Sequence, residues 1–369
     1  MSVRLKSLLM AIMSAALVFG FLHLFVHEGS LYNYERLHIF LFNLCGGGTI
    51  LIYYTEAKKK ISGKAVLFLC LAVIYAILAF LKIYIPAIIT AIILAILVDT
   101  VRIRKFSIFP ENFFNSRTPV SEKFHQASLL CLSIGLLFSG LVILNNEYLK
   151  IISLPKLQLD TFFLGFSFPL SLITMSVMFS YMKDSVEKTI SLMKNIGFWT
   201  INLGVIIFFF FILIEKLVPQ VLVTIILFSA VIMIFFLFTK LSNKHQQKNF
   251  LTSGILFLIY TAITGIAYIL FEFTPCYDSA NMKVLLRMHS FAALYGWNLC
   301  GLAVICRQPD FPIQLHSGTI ISIHWLTAVI LAPLGTWFRP FAVLALIGYV
   351  FVLYMILFSK GRTGRNLSQ

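Results

Sequence analysis

The chain has 369 residues, 60% of them hydrophobic and 12% charged, with a mean hydropathy of +0.94. A soluble domain is about half apolar and about a quarter charged, so lipid must solvate much of this surface. The net charge of +15 would suit nucleic acid in a soluble protein. In a chain this apolar, basic residues retained on one set of loops set topology and meet anionic lipid, and no nucleic-acid partner is expected.

The amino terminus carries Arg4 and Lys6 ahead of a long apolar run. That run is long for a secretory signal and lacks a clean small-residue cleavage pattern, which predicts an uncleaved first span at 7–26. Runs of about 20 apolar residues then predict spans at 38–55, 65–82, 83–101, 126–144, 160–182, 195–214, 219–239, 250–271, 284–306, 317–337 and 341–359. The third and fourth are separated by little more than Lys82 and the Pro86 region. Residues 1–369 thus read as one polytopic all-α membrane domain of about twelve transmembrane helices, with membrane lipid as its first partner.

Orientation follows from Lys and Arg. With the amino terminus inside, all but eight of the 29 basic residues fall on cytoplasmic segments, among them Lys58, Lys59 and Lys60, then Arg102, Arg104 and Lys105, and later Arg362 and Arg365. This asymmetry predicts both termini in the cytoplasm and residence in the cell's inner (cytoplasmic) membrane. The longest inner loop, 102–125, is rich in aromatics and reads as interfacial. The six cysteines form no CxxC pair and no haem-attachment motif, and read as small packing residues.

Acidic residues are absent from the span centres, Asp99 being the deepest, which argues against an ion-coupled transporter or proton pump. Histidine is the other titratable group. His23 and His27 are four apart, hence on one helix face, a spacing that suits either a metal or an interfacial pair facing water. His324, next to Trp325, reads as a structural hydrogen-bonding residue, and His245 lies in a Lys-rich loop.

Spans 2 and 10 resemble each other. Arg36-Leu37-His38-Ile39-Phe40 precedes Asn43-Leu44-Cys45-Gly46, and Arg287-Met288-His289-Ser290-Phe291 precedes Asn298-Leu299-Cys300-Gly301. The His-to-Asn separations differ by four residues, about one helical turn, so both asparagines keep similar facing. Both histidines fall near the outer end of their spans. Two neutral imidazoles at equal depth are able to hold one haem edge-on. Gly46, Gly47 and Gly296 would then let a flat macrocycle approach the backbone, and Arg36, Arg287 and Arg339 would meet its propionates. The same histidines serve equally well as hydrogen-bonding glue between helices.

With these motifs in place, the chain resembles the catalytic subunit of the haem-copper oxidase and nitric-oxide reductase superfamily. The resemblance covers the twelve-span architecture but only short motifs. Leu37-His38 ahead of Gly46-Gly47-Gly48, Tyr53-Tyr54 with Glu56, Phe198-Trp199 ahead of Asn202-Leu203-Gly204, and Arg339 all have counterparts there. NnrS-type and YndJ-type membrane proteins share similar elements. The resemblance implies a subunit I-like bundle with low-spin haem b on His38 and His289. Spans 6 and 7 contain no histidine, and span 10 has Arg287 where the superfamily carries a second one. It therefore implies no dinuclear copper site and no independent oxidase or reductase activity. The expected function is a haem b protein of electron transfer or of nitric-oxide or redox response, with an electron-transfer or respiratory partner. The alternative is a cofactor-free membrane transport, lipid-binding or respiratory-complex assembly protein.

Overall fold

In a computed structural model of the chain, the described residues are 1–22, 25, 32–56, 61–154, 156–157, 163–183, 187–242, 247–274, 279–307 and 317–359; the side chains of 35, 279–281 and 283 are not described, except Met282 of that stretch. Among the described residues lie twelve helices long and apolar enough to cross a membrane. They are α1 (Val3–Leu22), α2 (Arg36–Glu56), α3 (Gly63–Phe80), α4 (Tyr84–Lys105), α5 (Val120–Leu149) and α6 (Phe163–Ser180). The second half comprises α7 (Lys188–Leu213), α8 (Leu217–Leu241), α9 (Gln247–Phe271), α10 (Val284–Arg307), α11 (Gly318–Gly335) and α12 (Arg339–Phe358).

The all-helical membrane architecture agrees with the sequence, including its closest pair of spans. Helix α3 ends at Phe80 and α4 begins at Tyr84, and Lys82 turns the chain between them with φ 62°. Glu215 does the same between α7 and α8 with φ 54°. A non-glycine residue in this left-handed region marks a tight turn held by its surroundings.

Helices α2, α6 and α10 form the centre, with 72, 72 and 78% of their apolar windows buried, whereas α7 is the most peripheral at 17%. All three central helices contain a stretch of wider π-turn: Phe40–Gly48, Phe163–Ser167 and Ala292–Asn298. π-turns depart from the regular ladder and recur at functional sites.

Polar side chains join the three. Asn43 donates through Nδ2 to Ser167 Oγ at 2.7 Å, and Asn298 donates through Nδ2 to the Ser167 carbonyl at 3.4 Å. The two asparagines of the repeated motif thus converge on one residue of α6. Trp297 adds an Nε1–H bond to Ser171 Oγ at 2.7 Å. In lipid an unmade hydrogen bond is costly, so such pairs favour this one arrangement of helices.

Glycines bring neighbouring backbones close. A Cβ on Gly135 of α5 would overlap the backbone of Gly165 of α6. Gly135→Ala is therefore expected to destabilise the protein by roughly 1–3 kcal/mol. Thermal unfolding in detergent checks this against Gly63→Ala, where nothing lies within 4 Å of the added carbon.

Candidate functional site

The two motif histidines sit in equivalent seats. His38 of α2 leans on α1, its Nδ1 2.9 Å from the Ala16 carbonyl. His289 of α10 leans on α9, its Nδ1 2.8 Å from the Thr261 carbonyl. In each case a glycine follows the accepting residue by four positions, Gly20 after Ala16 and Gly265 after Thr261. A Cβ on Gly20 would lie 2.7 Å from His38 Nδ1, and one on Gly265 would lie 2.9 Å from His289 Nδ1.

The physical reason is local. A helical carbonyl already accepts from the N–H four residues on, and its second lone pair points outward past that residue's Cβ position. Glycine removes the obstruction, so the imidazole reaches the carbonyl. A carbonyl oxygen only accepts, so Nδ1 carries the proton in both rings. Each Nε2 is then the unprotonated nitrogen, the form that ligates a metal. A backbone carbonyl on the far nitrogen also fixes ring orientation and raises ligand basicity.

The two seats differ in what meets Nε2. The Tyr295 hydroxyl lies 2.9 Å from His38 Nε2 and 2.7 Å from Nδ1. Since Nδ1 is protonated, the phenol donates to Nε2. Tyr295 itself is buried against Phe42, Phe291 and Tyr349. His289 Nε2 meets no donor among the described residues. Tyr295 also ties α10 to α2 beside His38.

The remaining candidates fall into place around these seats. Gly46, Gly47 and Gly296 do not open onto free space. A Cβ on them would meet Met13, Leu170 and Phe257 respectively, so they serve close helix packing. Arg36 and Arg287 are two positions from their histidines, a spacing that turns them to another side of the helix. Depth alone connects them with propionates. Arg287 makes no hydrogen bond or ion pair among the described residues. Arg339 opens α12 and stands over the Phe25 ring, 5.6 Å from its centroid. His23 and His27, like His245, lie outside the described residues.

Two further histidines are structural. His324 is fully buried, stacks against Phe250 and donates from Nε2 to the Tyr295 carbonyl in the α10 π-turn. His125 donates from Nε2 to Thr55 Oγ1 at 2.8 Å while Thr55 donates to the Leu51 carbonyl at 2.7 Å. Its ring stacks on Tyr54, a residue the family resemblance singled out. Among the described residues, no three His, Cys, Asp or Glu side chains converge as a metal cluster.

Sequence reasoning missed Gly20, Gly265 and Tyr295. The first two had a signal, since Ala16-x-x-x-Gly20 and Thr261-x-x-x-Gly265 are small-residue pairs one turn apart in the spans preceding each histidine. No family model matches the chain, and neither a curated protein nor a solved structure is significantly similar to it.

Proposed function

We propose that this chain is a membrane-embedded haem b protein of electron transfer or of nitric-oxide or redox response, with His38 and His289 as axial ligands in a bundle like that of oxidase subunit I. The observation that supports it is the matched pair of seats, each presenting a carbonyl-anchored imidazole with Nε2 as its basic nitrogen. The donor set fits low-spin haem iron, which takes two neutral imidazoles and no third protein ligand. When bound, such a group supplies reversible one-electron chemistry. The chain's own part is to orient both rings and, through Tyr295, to hold a proton donor beside His38.

A reduced-minus-oxidised absorption spectrum of the purified full chain tests this reading. A low-spin haem b band near one haem per chain supports it. A colourless, folded preparation after expression with ample haem sinks it. Tyr295→Phe is expected to keep that band, because the phenol's hydrogen bond gives way to the iron. The variant should lower the stability of haem-stripped protein by about 1 kcal/mol, seen as a reduced melting temperature.

The second reading is cofactor-free: a transport, lipid-binding or respiratory-complex assembly protein. Tyr295 favours it, since its hydroxyl already satisfies His38 Nε2 and ties α2 to α10.

The proposed setting is the inner membrane with both termini cytoplasmic, a reading that the basic asymmetry supports. Reporter fusions after Lys59, Glu147, Lys244 and Ser368 are expected to report inside, outside, inside and inside. A fusion after Ser368 that reports outside would overturn the orientation.

A further inference from the structure

The histidine seats leave the second half of the repeated motif unused. Asn43 of α2 and Asn298 of α10 lie well inside their spans, 1% and 3% exposed. Both amides face Ser167 of α6, Asn43 meeting its hydroxyl and Asn298 its backbone carbonyl. A carbonyl only accepts, so the Asn298 nitrogen turns toward it and the oxygen away. Asn43 Oδ1 and Asn298 Oδ1 are both buried without a hydrogen-bond partner. The oxygen of an amide sits beside its nitrogen, so two unpaired oxygens flank one residue where the three central helices meet.

The helices are interrupted at this same place. Asn43 lies within the π-turn Phe40–Gly48, Asn298 closes Ala292–Asn298, and Ser167 closes Phe163–Ser167. Interrupted spans recur at ion sites in membrane proteins, where backbone carbonyls join side-chain oxygens around the ion. The arrangement is also duplicated. The pairs α1 with α2 and α9 with α10 build like seats, and their asparagines stand where the two pairs meet. Ion sites between repeated units lie in this position.

A buried amide oxygen left unpaired is costly, and a positive charge between two of them offsets that cost. The three π-turns contain no acidic or basic side chain. Neutral oxygens suit a hard cation, and without a carboxylate to balance a second charge they suit a singly charged one. The glycines alongside are filled by Met13, Leu170 and Phe257, which favours a bare ion over an organic ligand.

We propose that Asn43 Oδ1 and Asn298 Oδ1 hold a dehydrated alkali-metal cation where α2, α6 and α10 meet. The inference is independent of the haem reading, since neither histidine takes part.

The test is thermal unfolding of the full chain in detergent, in sodium, potassium or N-methylglucamine chloride at equal ionic strength. At about 100 mM, one alkali salt is expected to raise the melting temperature by about 5 °C over N-methylglucamine, as for a site of about 1 mM affinity. Asn298→Ala should abolish this gain. Asn43→Asp puts a charged oxygen at the site and still accepts from the Ser167 hydroxyl, so the gain should appear at about tenfold lower cation concentration. It decides the matter if Asn298→Ala does not fold. Gln126→Leu removes another buried, unpaired amide, on α5 and outside the π-turns, and should keep the gain. Equal melting temperatures of wild type in all three salts overturn the proposal and leave the two oxygens to bound water. An unchanged gain in Asn298→Ala, or an unchanged midpoint in Asn43→Asp, overturns it by placing the ion elsewhere. Loss of the gain in Gln126→Leu overturns it by assigning the effect to general packing.

Discussion

His289→Ala and His38→Ala are each expected to remove the low-spin haem band completely, with the folded chain still recoverable. A six-coordinate low-spin iron needs both axial imidazoles, and alanine offers no replacement ligand. The effect should be all-or-none at either position because the two seats are alike: one carbonyl-anchored Nδ1 and one basic Nε2 in each. His324→Ala is the informative contrast. It removes a fully buried ring bonded to the Tyr295 carbonyl and so should cost about 1–3 kcal/mol of stability while leaving the band in place. His245→Ala, in a Lys-rich stretch of the sequence, should change neither. A normal haem content in both His38→Ala and His289→Ala would remove the ligand assignment, whatever becomes of the fold.

The second large effect is expected from the glycines beneath the rings. Gly20→Ala and Gly265→Ala place a carbon 2.7 and 2.9 Å from Nδ1 of His38 and His289, closer than a real Cβ approaches another atom. The imidazole must shift outward and lose its carbonyl, and with it both orientation and basicity. Loss of such a supporting partner typically costs 10–100-fold in metal-site affinity, so haem retention during dilution should fall by about that factor. Gly46→Ala is the control. Its added carbon meets the Met13 side chain at 3.1 Å, and the thioether end of a methionine gives way easily. Equal haem loss in Gly46→Ala would mean that general loosening of the bundle, not the seat, releases the cofactor.

The helices were legible because each carries its own signal: a span is a local property of about 20 residues and needs no knowledge of its neighbours. The repeated motif in spans 2 and 10 was legible too, down to the similar facing of Asn43 and Asn298. Their convergence on Ser167 was not, because it depends on which helix stands between them. The same limit explains the glycines. Gly46, Gly47 and Gly296 were expected to make room for a macrocycle, and the structure fills that room with Met13, Leu170 and Phe257. Sequence marks where a backbone is bare but not what approaches it. Gly20 and Gly265, in the preceding spans, hold the histidines instead. The π-turns in α2, α6 and α10 left no periodicity to detect, since their apolar runs read as ordinary span.

The central claim is that His38 and His289 share one iron. The most direct measurement is the electron paramagnetic resonance spectrum of the oxidised, purified full chain, taken beside its iron and haem content. The account predicts one haem per chain with a low-spin ferric signal of the bis-imidazole type. A high-spin signal from a five-coordinate iron, or folded protein without haem after expression in its presence, would contradict it.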